Sequence, residues 1–161
     1  MADQNHADPI HQCLDRWHRW LRGDLPEGLD VVLHDECIFL SPIVFTPQVG
    51  REITSLYLSA AAGSLSGSSA GGGAPAEGFE DAESSGDTEP GSFRYVKEIV
   101  GGNQAALEFE TTVEGKYVNG VDIITCDDDS LITEFKVMIR PLQAVNLVHA
   151  QMRAMLESMQ D

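Results

Sequence analysis

The chain has 161 residues, of which 42% are hydrophobic, and a formal net charge of −16. This length predicts one domain that buries a core without metals or disulfides, and the negative charge argues against binding to nucleic acid or anionic membranes. The apolar runs are too short to span a bilayer and residues 1–9 lack the basic and apolar regions of a signal peptide, so the sequence predicts a cytoplasmic protein.

The first part of the chain has the pattern of helices. Apolar residues recur every three or four positions over the first helix: Ile10, Cys13, Leu14, Trp17 and Leu21. Asp24-Leu25-Pro26-Glu27 is typical of a second helix start, with an apolar face of Leu25, Leu29, Val32 and Leu33. A short strand over 37–40 and a third helix over about 51–62 follow.

Residues 63–92 differ from their surroundings because they are rich in Gly, Ser and acidic residues and contain no Lys or Arg. Such a segment buries too little apolar surface to offset the entropy of ordering it. We therefore interpret it as a disordered insert within the single domain 1–161, with a lid over a functional site as the alternative.

After this insert the pattern changes to strands, over 93–100, 105–113, 117–126 and 131–140, separated by short turns. A closing helix is predicted over 142–159 by its spaced apolar residues. Helices, a connected antiparallel sheet and a final helix indicate an α+β domain.

Four passages together resemble the nuclear transport factor 2-like superfamily and its SnoaL-like members. Residues 20–24 are similar to the end of the family's first helix, and residues 34–42 to its acidic pair, short strand and Pro. Gly50-Arg51-Glu52-Ile53 resembles the start of its third helix, and 120–132 its paired final strands.

The resemblance implies a cone-shaped half barrel: a curved, mostly antiparallel sheet with three N-terminal helices and a C-terminal helix around one apolar pocket. It implies a small hydrophobic ligand and general acid/base chemistry without a cofactor, as in isomerases, cyclases, dehydratases and hydrolases. The superfamily also contains non-catalytic binding and accessory proteins, so whether the chain is an enzyme stays open.

Asp122 and Tyr57 are the candidate catalytic residues. Strand parity places Asp122 with Gly120 and Ile124, and burial there would raise the pKa of its carboxyl group. By resemblance, Asp122 matches the pocket acid with which ketosteroid isomerases stabilise an enolate oxygen, and Tyr57 matches a hydrogen-bonding position. A purely structural role is the alternative for each.

Two departures argue against the steroid isomerase mechanism itself. Ser41 stands where those enzymes have their base carboxylate, and it cannot shuttle a proton at neutral pH without a base beside it. Arg16 and Trp17 lie where those enzymes carry a catalytic Tyr on the first helix.

The predicted ligand-binding residues are large apolar side chains and one hydroxyl, with plain core packing as the alternative: Trp17, Trp20, Phe39, Ser41, Phe109, Phe135 and Ile139. Val121 and Ile123 fall on the opposite sheet face, which predicts a homodimer through that outer face. We expect no metal site, since His11, Asp15 and His18 continue into a solvated stripe and Asp127-Asp128-Asp129 is typical of a hairpin turn.

Overall fold

A computed structural model describes residues 8–65 and 92–158. Helix α1, Pro9–Leu21, begins with a proline in its first turn, where the missing N–H has no intrahelical partner to lose. The predicted apolar face is confirmed, since Ile10, Cys13, Leu14, Trp17 and Leu21 are all buried. This face lies against the sheet and therefore carries its indoles into the interior.

The predicted second helix is wrong. Gly28–Val31 forms only a single 3-10 turn, and strand β1, Leu33–Leu40, begins four residues earlier than predicted. Gly28 has a φ of 70°, outside the helical region, and the β-branched Val31 and Val32 follow. Tertiary pairing then decides the outcome, because Leu33 lies opposite Ile132 in the sheet.

The sheet has six strands in the order β2-β1-β6-β5-β4-β3. Strands β3 to β6 form an antiparallel meander that confirms the predicted strands to within about one residue: Arg94–Gly101, Gln104–Val113, Lys116–Cys126 and Ile132–Arg140. Strand β1 pairs in parallel with β6 and antiparallel with the short β2, Gln48–Val49. The sheet is therefore mixed, curved and unclosed.

Helix α2, Arg51–Leu65, packs mainly against β1, helix α3, Leu142–Ser158, packs against β6, and the two helices pack against each other. Helix α2 continues through Gly63-Ser64-Leu65, so the predicted insert begins too early. The rest of that segment, 66–91, lies outside the described residues. Among the described helices, none has both the length and the apolar character needed to cross a membrane.

Candidate functional site

Asp122 and Tyr95 form a short hydrogen bond inside the fold. The Tyr95 hydroxyl donates to Oδ2 of Asp122 at 2.6 Å, and the Asp122 side chain is buried. Asp122 lies on the inner face of β5, between Leu107 of β4 and Val137 of β6. Strand parity thus placed Asp122 correctly, whereas no sequence pattern pointed to Tyr95, which reaches it from β3.

Helix α1 supplies the next member of this network. The indole Nε1–H of Trp17 donates to the Tyr95 hydroxyl oxygen at 3.1 Å. The ring of His18 meets the Tyr95 ring edge-on with centroids 5.7 Å apart, and its Nε2 lies 3.2 Å from Oε1 of Glu98. Tyr95 is therefore held on both sides, and its proton is directed to Asp122.

Burial controls the ionisation of this pair. Removal from water raises the pKa of Asp122 from 3.8 to about 7, although the hydrogen bond from Tyr95 acts in the opposite direction. Burial and the neighbouring Asp122 carboxylate raise the pKa of Tyr95 well above its usual value. Near neutral pH, Asp122 is therefore divided between its acidic and carboxylate forms while Tyr95 keeps its proton.

A small cavity of about 50 Å³, here called the inner cavity, adjoins this pair. Four of the predicted ligand-binding residues line it: Trp17, Trp20, Phe109 and Phe135. The Trp17 and Trp20 rings stack with centroids 5.1 Å apart, and the centroids of the Trp17 and Phe135 rings are 4.8 Å apart. Of the described residues that line this cavity, Asp122 and Tyr95 are the two with titratable side chains.

The other predicted site residues lie elsewhere. Phe39, Ser41, Tyr57 and Ile139 line a second cavity of about 250 Å³, the outer cavity, between α2, α3 and the sheet. Tyr57 packs on Phe39 with centroids 5.4 Å apart and does not line the inner cavity. The structure thus separates Tyr57 from Asp122, because Tyr57 packs against Phe39 of β1 and not at the inner cavity.

Ser41 has a local structural role. Its Oγ accepts hydrogen bonds from the backbone N–H groups of Ile43 and Val44, at 3.1 and 3.2 Å. These bonds shape the turn after β1 in the manner of short polar side chains in loops.

The opposite, outer face of the sheet combines apolar residues with paired charges. Ile99 and Met138 are 65% and 50% exposed, and Val121 and Ile123 are half-buried beside them. Ion pairs surround this apolar strip: Arg94–Glu110, Lys97–Glu108 and Lys136–Glu134. The face is therefore close to electrically balanced in a chain whose net charge is −16.

Comparison with solved structures identifies the fold. A steroid delta-isomerase from Pseudomonas aeruginosa is similar at 25% identity and a TM-score of 0.73, with 94% of each chain covered. A protein of unknown function from Mesorhizobium loti, described as NTF2-like, has 16% identity and a TM-score of 0.58 over 87% of this chain and 98% of its own. No family model and no curated protein matches the sequence.

A third similar structure is an uncharacterised protein from Silicibacter pomeroyi, described as having a cystatin-like fold. It is 23% identical, with a TM-score of 0.66 over 91% of this chain and 86% of its own. The chain therefore shares the fold of these structures, the fold that its resemblance to nuclear transport factor 2-like proteins predicted.

Proposed function

We propose that the chain binds a small hydrophobic molecule in the inner cavity and that Asp122 and Tyr95 recognise its polar end. The observation that carries this proposal is the 2.6 Å hydrogen bond between the two side chains at an otherwise apolar cavity. Apolar cavities with a few converging polar groups are the usual form of small-molecule sites. A buried carboxyl group costs stability, which is consistent with a role in ligand recognition.

The pair is suited to general acid chemistry on a ligand oxygen. Because Oδ2 of Asp122 accepts the hydrogen bond that the Tyr95 hydroxyl donates, the neutral acid carries its own proton on the other carboxyl oxygen, Oδ1. A general acid works best when its pKa lies near the working pH, as burial arranges for Asp122. The reaction classes that this supports are isomerisation, cyclisation, dehydration and hydrolysis without a cofactor.

The similar Pseudomonas aeruginosa structure is a steroid delta-isomerase, but this chain differs from the expected isomerase site at two positions. Ser41 accepts backbone hydrogen bonds where a base carboxylate was expected. Trp17 lies where a phenol was expected, and the phenol comes instead from Tyr95 on β3. We therefore propose an acid-assisted reaction or binding alone, rather than proton shuttling between two carbons of a steroid.

A thermal-shift screen with hydrophobic metabolites tests this proposal. A ligand at about 100 times its dissociation constant should stabilise the wild type by about 2.7 kcal/mol. We expect Asp122→Asn to weaken this shift, because the amide N–H is a weaker hydrogen-bond donor than the carboxylic acid O–H and carries no proton that it can transfer. Turnover of each hit by wild type and variant then separates catalysis from binding.

Asp128→Asn is the matched control, since Asp128 is an exposed acid in the turn after β5. It removes the same charge without touching the cavity and should retain the full ligand-induced shift. Ligands that stabilise both variants as much as the wild type would show that the cavity at Asp122 is not the binding site.

A second candidate function is that of a dimeric accessory protein, and the outer sheet face favours it. Its exposed Ile99 and Met138 would be covered by a second copy, and its paired charges would allow two acidic chains to approach. A two-fold interface places the same patch on both sides, so a balanced patch complements itself.

Met138→Glu should convert such a dimer to a monomer, because two buried carboxylates would face each other across the two-fold axis. Light scattering coupled to gel filtration measures the mass directly. Leu142→Glu, at a residue that is 74% exposed outside this face, should leave the mass unchanged. A wild-type chain that is monomeric at high concentration would rule out this interface.

A further inference from the structure

The inner and outer cavities are neighbours that share part of their walls. Ala61 and Leu65 of α2 and Val137 of β6 line both of them. All three side chains are apolar, so the boundary between the cavities presents no polar group to a ligand. An apolar chain that crossed from Asp122 into the outer cavity would meet only these three apolar side chains at the boundary.

The volumes restrict the shape of such a molecule. The inner cavity of about 50 Å³ has room for one small group, since a water molecule in the liquid takes about 30 Å³. The outer cavity, at about 250 Å³, must then hold most of the ligand. Together they barely reach the lower end of the ~300–1,000 Å³ range of ligand pockets. A slender ligand fits this division better than a rigid fused-ring system.

The wall that α3 provides is adaptable. Met152 lines the outer cavity, and Met155 lies so close to α2 that a Cβ on Gly63 would be 2.6 Å from its terminal carbon. The Ser64 hydroxyl contacts both sulfur atoms, at 3.9 and 3.5 Å. Because methionine side chains are flexible and polarisable, they can follow the contour of a flexible chain.

The rim of the outer cavity indicates a neutral ligand. Arg153 contributes a guanidinium group to this rim, and its Nε lies 3.0 Å from Oε1 of Glu157, which also lines the cavity. The two charges offset each other, so the rim offers an anionic ligand little net attraction. The other polar residues that line this cavity are Ser41, Tyr57 and the exposed His149, and its remaining lining residues are apolar.

We infer that the ligand is a neutral, unbranched alkyl chain ending in a carbonyl group, with the carbonyl oxygen at Asp122 and Tyr95 and the chain in the outer cavity. The position of the carbonyl end rests on the proposed function. The position of the chain rests on the outer cavity alone, so the two parts can be tested separately.

A series of 2-alkanones from 2-hexanone to 2-dodecanone tests the chain site. Both tryptophans of the protein, Trp17 and Trp20, line the inner cavity, so their fluorescence reports binding. Each added methylene should lower the dissociation constant about four-fold until the outer cavity is full, after which the constant should level off. A tetracyclic steroid ketone should bind more weakly than the longer alkanones.

Two leucines of α3 give matched variants. Leu156 lines the outer cavity, whereas Leu142 is exposed at the other end of the helix. Leu156→Ala should move the levelling point to longer chains, by about as many methylenes as the carbon atoms removed. Leu142→Ala should leave it unchanged.

The outcomes separate the two parts of the inference. If affinity does not depend on chain length, if the two leucine variants behave alike, or if the steroid binds most tightly, the chain site is overturned. If Asp122→Asn weakens short ketones while chain length has no effect, the proposed function stands without the chain site. If the length dependence persists and Asp122→Asn changes nothing, the chain site stands and the proposed role of Asp122 fails.

Discussion

Replacing Asp122 with asparagine is expected to remove a pH dependence from the stability of the fold. The Asp122 pKa is raised from 3.8 to about 7 by burial, so between these values the folded chain binds more protons than the unfolded chain. The stability of the wild type should therefore fall as pH rises through this window. Between pH 4.5 and 8 the loss is on the order of 3 kcal/mol. Urea denaturation at both pH values measures it.

The amide side chain of the Asp122→Asn variant cannot ionise, so the variant should lack this fall. The difference between wild type and variant therefore isolates Asp122 from other titrating groups. Tyr95→Phe provides a second comparison with the carboxyl group retained. Its missing hydrogen bond should raise the Asp122 pKa further and extend the window to higher pH. Equal pH dependence in the wild type and Asp122→Asn would mean that the carboxyl group is solvated in solution.

Gly120→Ala is expected to destabilise the fold by about 3 kcal/mol, at the upper end of the range for overpacking. A Cβ on Gly120 would overlap with Cζ of Phe109 and would lie 2.6 Å from the Met138 carbonyl oxygen. The second contact is with backbone in the middle of the sheet, so a rotamer change cannot relieve it. For a chain of this size the melting temperature should fall by roughly 6–12 °C, which differential scanning calorimetry measures.

Gly101→Ala is the control, because a Cβ at Gly101 meets nothing within 4 Å. An exposed strand-end substitution of this kind should change stability by less than about 0.5 kcal/mol. Similar losses in both variants would assign the effect to backbone flexibility rather than to the close packing of Phe109 on Gly120.

The sequence predicted the helices and strands well where apolar residues recur with a single period, that of a helix or that of a strand. Strand β5 alternates buried and half-buried residues over its second half, and α1 buries one stripe, so each pattern specifies both the element and its inner face. The prediction of a helix over the segment from Gly28 to Leu33 was wrong, because the apolar residues of this segment fit a helix and a strand equally well. Pairing with β6, which is distant in sequence, decided between them.

The sequence could predict which residues of a single strand face the candidate site, but not which residues of other strands meet them there. Parity identifies Asp122 on β5, but its partner Tyr95 lies on β3, and β4 separates the two strands. The register that links them runs from Tyr95 to Phe109 and from Phe109 to Gly120, two residues before Asp122. Gly120 was the available signal for close packing near Asp122. Gly120 has no side chain and lies opposite Phe109, which indicates a crowded position on the inner face.

The parallel pairing of β1 with β6 has a consequence for folding kinetics. The β3–β6 meander joins neighbours in sequence, whereas Phe39 must find Phe135 well over half of the chain away. Because distant pairings form slowly, we expect the meander to form early and the docking of β1 to limit the rate. Loop-closure entropy grows only with the logarithm of length, so the number of residues between α2 and β3 has little influence on this search.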